Sequence, residues 1–124
     1  MNEDDKRQLT SDPDGLLTYE YIANNIDDPE IDIESLADNM IRVDATGQFV
    51  VSAARYLHAI DSKRFASPIE RLIAAAIEKD REHRYIGDLL QSIWGDDYAQ
   101  HVEELNASDD NFRRIYKRLF PKGI

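Results

Sequence analysis

The chain has 124 residues and a mass of 14.3 kDa, with 25 Asp plus Glu against 15 Lys plus Arg and a net charge of −10. That length suits one core without staples, and with no cysteine, disulfides, thiol catalysis and Cys-based metal centres are excluded. The longest apolar run, Leu72 to Ile77, falls far short of the ~20 residues of a membrane helix; the opening MNEDDKRQLT lacks the apolar stretch of a secretory signal, so the expected setting is the cytoplasm.

Residues 1–13 hold only Met1 and Leu9 as large apolar side chains and are expected as a flexible acidic tail. One helical domain is expected over residues 14–124. Its first helix is capped by Asp14, with Leu16, Tyr19, Ile22, Ala23 and Ile26 at the three-and-four spacing of an amphipathic helix. Asp27, Asp28 and Pro29 end it, because proline disfavours helix in the residue before it. Asp32 is the expected N-cap of a second helix, with Ser35 at its third position and Ile33, Leu36, Ala37, Met40 and Ile41 on one face. Either Asp44 or Thr46 caps a third, which buries Val50, Ala53, Ala54 and Leu57 and runs to about Ile60; a strand over 48–51 is the alternative.

Ser67-Pro68-Ile69-Glu70 has the pattern of a capping box, with Ser67 at the N-cap and proline at the first helical position. The apolar face Ile69, Leu72, Ile73, Ala76 and Ile77 follows. The charged stretch EKDREHR over 78–84 is either the tail of that helix or a break before the next. Tyr85, Ile86, Leu89, Leu90, Ile93 and Trp94 resume the helical period, which Gly95 stops. Asp96 or Asp97 caps a short helix containing Tyr98, Val102 and Leu105. Ser108 or Asp109 caps the last one, with Phe112, Ile115, Tyr116, Leu119 and Phe120 inward and Pro121 and Gly123 at its end. The expected fold is therefore all-α: one compact bundle of six or seven short helices, without a repeat of fixed period.

Charge is uneven along the chain. Residues 1–34 carry net −9, residues 35–108 net −4, and residues 109–124 net +3. An acidic first third steers toward a basic partner. Within it, Tyr19 and Tyr21 point to different sides of one helix, and Asp27 and Asp28 close that helix, which makes these four candidate contacts. Trp94 and Tyr98 are candidates for a groove or a dimer face, since such residues combine apolar area with a polar handle. Arg113, Arg114, Lys117 and Arg118 form a basic flank on the last helix. They suit RNA, an acidic partner or the protein's own acidic face.

No constellation for catalysis emerges. The sequence contains neither GxSxG nor HExxH nor a glycine-rich phosphate loop, and its carboxylate doublets fall mostly at helix starts, where they offset the dipole. His101 and Glu104, joined by His83, are the residues of a metal-binding alternative. No cofactor is expected. Residues 22–40, IANNIDDPEIDIESLADNM, are similar to the opening of helix-turn-helix units in AraC-type regulators, through the Asp28-Pro29 turn and the Leu36-Ala37 pair. That resemblance implies a transcription regulator using residues 33–60. It departs at the next helix, ATGQFVVSAARYLHAI, which offers only Gln48, Ser52 and Arg55 as polar contacts. Proteins that hold DNA cluster Lys and Arg against its phosphates, so direct nucleic-acid binding is not the leading expectation. That expectation is a non-catalytic interaction or regulatory module, an acidic neutraliser of a basic protein partner, with self-association open.

Overall fold

The computed structural model describes residues 1–122, which form eight α-helices, one 3-10 turn at Tyr98–Gln100 and no strand. The helices are α1 (Glu3–Thr10), α2 (Leu16–Asn25), α3 (Ile33–Val43), α4 (Gln48–Asp61), α5 (Ala66–Lys79), α6 (Gly87–Trp94), α7 (Val102–Ser108) and α8 (Asp110–Leu119). Gly123 lies outside the described residues. No described helix is long and apolar enough to cross a membrane.

The all-α bundle is as expected, but it has more helices. The extra one is α1, where a flexible tail was expected. The Asn2 side chain accepts from the Asp5 amide at 2.7 Å, and Glu3, Asp4 and Asp5 fill the first turn, each suited to a helix N-terminus. Leu9 is buried, and α3 grips the end of α1 by polar bonds: Asn39 Nδ2 donates to the Leu9 carbonyl and Arg42 to the Thr10 carbonyl, both at 2.8 Å. One apolar residue is enough for docking because the rest of the attachment is hydrogen-bonded.

Helices α1, α3, α5 and α8 lie side by side in one layer, and α2, α4 and α6 in the other. In the first layer, Arg71 of α5 reaches Glu34 and Asp38 of α3. From α8, Asn111 donates to the Glu70 carbonyl, Arg114 pairs with Glu78, and Arg118 donates to the Ile77 carbonyl of α5. Helix α4 packs against α2, α3, α5 and α6, with Val50, Ala53, Ala54 and Leu57 fully enclosed. The small residues Ala53 and Ala54 allow that close approach.

The first three hairpins share one turn, built on the only charged side chains among the described residues that are buried: Asp12, Asp44 and Asp80. In each, one carboxylate oxygen accepts the amide six residues on, at Thr18 (2.8 Å), Val50 (2.9 Å) and Ile86 (2.8 Å). The other oxygen accepts turn amides: Asp14 and Gly15 for Asp12, Thr46 and Gly47 for Asp44, and Arg84 for Asp80. Three residues after each aspartate the backbone turns left-handed, at Gly15 (φ 113°), Gly47 (φ 94°) and His83 (φ 57°). The aspartates are 32 and 36 residues apart, so the repeat lies in the geometry while its period varies.

Several caps agree with the sequence. Asp32 accepts from the Ser35 amide at 3.1 Å, Asp109 from the Phe112 amide at 3.1 Å, and Gly95 closes α6 with φ 99°. The capping box at Ser67 does not form: α5 begins at Ala66, its N-cap is Phe65, and no side chain caps it. Phe65 is buried and its amide bonds back to the Asp61 carbonyl at 3.1 Å. The tight corner after α4 thus commits the chain to helix before Ser67. Pro68 is tolerated at the third position because first-turn amides have no intrahelical acceptor.

Candidate functional site

The buried phase of α2 differs from the expected stripe. Thr18 and Ile22 are fully enclosed and Ile26 is buried, while Leu16 is 44 % and Leu17 45 % exposed. The cause is the Asp12 carboxylate. It binds both the Thr18 amide and the Thr18 hydroxyl (2.7 Å), which fixes Thr18 inward and rotates the leucines out. Asp14, expected as the cap, accepts from the Leu16 amide at 3.0 Å, while Gly15 holds the N-cap position.

Leu17, Tyr21 and Glu20 line a shallow groove of about 240 Å³ with Asp5, Leu9 and Asn24. Burial, then the negative charges of Asp5 and Asp28, push the Tyr21 phenol above its ordinary value of 10.0. Asp28, in the turn that follows α2, thus acts on Tyr21 only electrostatically. Asp27 is exposed beside Asp28. Residues 8–41 contain nine acidic and no basic side chains. Arg71 supplies charge to Glu34 and Asp38, but among the described residues no ion pair reaches Glu20, Asp27, Asp28 or Glu30. The remaining candidate of this segment, Tyr19, faces the other way, half-buried and edge-on to Tyr56 at 6.1 Å.

The other candidates sit at the far side of the fold. Trp94 and Tyr98 both meet the Phe112 ring edge-on, at 5.2 and 6.3 Å, and the Trp94 indole donates to Asp109 Oδ2 at 2.8 Å. The basic flank of α8 is largely engaged at home: Arg113 with Asp110, Arg114 with Glu78, and Arg118 with the Ile77 carbonyl, while Lys117 is exposed. Leu16, which the periodicity places on the inward stripe, is instead a surface residue, and Leu17, outside that stripe, lies exposed beside it.

The described residues form no group of three or more His, Cys, Asp or Glu able to hold a metal ion. His83, His101 and Glu104 do not gather into one; His101 instead meets Asp97 at 3.2 Å. The three buried aspartates are saturated by amides, so their carboxylates are committed to the turns. On α4, Arg55 donates to Ser92 of α6 at 2.8 Å, which ties one of the three polar residues considered for DNA contact to the neighbouring helix. No family model matches the chain, and neither a curated protein nor a solved structure matches it.

Proposed function

We propose that the protein is a non-catalytic interaction module whose N-terminal end binds a basic protein partner. One observation carries this reading: Leu16 and Leu17 lie exposed on α2 beside the half-buried Tyr21, and among the described residues no ion pair reaches the nearby carboxylates Asp5, Glu20 and Asp28. Stacked helical hairpins ordinarily end in a polar capping face. Here α2 instead exposes two leucines beside a half-buried tyrosine, which supply apolar anchors. The carboxylates Asp5, Glu20 and Asp28 supply the charged rim that speeds encounter with a basic surface.

The test is co-purification from the native cell, comparing the wild-type chain with the Leu17→Ala/Tyr21→Ala double variant at low and high salt. The expected result is a basic protein held by the wild type, released by salt and lost by the double variant. Recovery of the same proteins by both chains, or of none at either salt, would overturn the reading.

A further inference from the structure

A second groove, of about 410 Å³, opens between the end of α4, α5, α6 and the start of α8. Its apolar side is made by Ile69 and Ile73, both buried, together with Trp94. The indole is held in one orientation by its bond to Asp109 and its edge contact with Phe112. The rim carries Glu70, Asp109 and Asp110, with His58 of α4 the one other titratable side chain lining it; among the described residues neither Lys nor Arg lines the groove. Two of these carboxylates are already engaged: Asp109 by Trp94 and the Phe112 amide, Asp110 by Arg113. Glu70 is exposed, and among the described residues its carboxylate is engaged by no hydrogen bond or ion pair; only its main-chain carbonyl is used, by Asn111 at 3.3 Å.

We propose that this groove seats one lysine or arginine side chain presented by a partner polypeptide. The aliphatic stem lies along the partly exposed Ile93 and Trp94, over a floor of Ile69 and Ile73, as long cationic side chains cover apolar surface while the head stays at a polar rim. The head meets Glu70, with a cation–π contribution from the indole. Charge complementarity selects this occupant over an apolar or acidic side chain, since Glu70 is the unengaged carboxylate of the rim and His58 is neutral when unprotonated. The inference does not rest on the N-terminal face, which is built from different helices.

Trp94 is the single tryptophan of the chain, so its indole N–H gives one unambiguous NMR resonance at this groove. The full-length protein is titrated with acetyl-Gly-Arg-Gly-amide, with the lysine analogue, and with an uncharged citrulline analogue. The two cationic peptides should shift the indole signal saturably, and citrulline should not. Glu70→Gln should weaken the cationic peptides about three- to fivefold, the scale of one exposed ion pair. The Leu17→Ala/Tyr21→Ala variant should bind them like the wild type. An equal response to citrulline would show a merely apolar groove and overturn the assignment. So would no saturable shift with either cation, or unchanged binding in a Glu70→Gln chain whose thermal unfolding matches the wild type.

Discussion

Gly47 lies against Asp80: a Cβ added to the glycine would stand 3.1 Å from the Asp80 Cβ. The turn of the second hairpin is thus pressed onto the turn of the third, and the contact has room for hydrogen only. Gly47 also has φ 94°, a region that costs other L residues about 1–2 kcal/mol. Gly47→Ala should therefore lower unfolding stability by at least about 1–2 kcal/mol in urea denaturation. A variant within error of the wild type would show that the two turns are not in contact.

His83 occupies the corresponding left-handed position of the third turn, at φ 57°. Replacing it by glycine removes the Cβ penalty of about 1–2 kcal/mol but adds roughly 0.5–1 kcal/mol of unfolded-chain entropy. The net expectation for His83→Gly is a small gain in stability, seen as a higher urea midpoint with unchanged slope. A clear loss would mean that the imidazole itself holds the turn.

The turn carboxylates should matter more than any single cap. Asp44→Asn replaces one acceptor oxygen by an amide that points its own N–H groups at the Phe49 and Val50 amides or at those of Thr46 and Gly47. Lost charge-assisted bonds and facing donors together should cost about 2–4 kcal/mol. Ser67→Ala, by contrast, should be nearly silent, since no Ser67 bond caps α5, while Asp32→Ala should cost about 1 kcal/mol through its lost bond to the Ser35 amide. Equal effects of the two cap variants would contradict the boundary of α5.

Acid should destabilise the protein through Asp12 and Asp32. Burial raises the Asp12 carboxyl, but the Thr18 hydroxyl and the amides of Gly15, Thr18 and Asp14 together hold it below the ordinary 3.8. Asp32 is lowered chiefly by the Ser35 hydroxyl and amide. A carboxyl that binds its proton less tightly when folded contributes fully above its unfolded value, and that contribution is lost as pH falls through the folded one. Urea midpoints should therefore drop from about pH 6 to about pH 3, and Asp12→Asn should show a shallower drop. An identical pH profile for the variant would rule out Asp12 as a source.

Local signals were legible in the sequence. Asp32, Asp109 and Gly95 act within three or four residues of themselves, so the pattern of types was enough to place them. Helix α1 was not legible, because its anchors are Asn39 and Arg42, some 30 residues away in sequence. Nor was the orientation of Leu16, since the phase of α2 is set by a side-chain bond from Asp12 and not by hydrophobicity. The recurring turn has no fixed sequence pattern: the third copy has His83 where the others have glycine, and the spacing between copies changes. At the far side of the fold, spacing singled out Trp94 and Tyr98, but their shared contact with Phe112 follows from how α8 folds back onto α6.

Each aspartate turn draws all its carboxylate bonds from its own hairpin, none from further than six residues along the chain. The connection between two paired helices is thus complete before any neighbour is added. A hairpin could be gained or lost as one segment without rebuilding the turn of another, leaving only the lateral contacts to be refitted. Changes in the length of this chain over evolution should therefore come in whole hairpins, with insertions falling in the links between them and sparing the seven residues from each aspartate to the amide it holds.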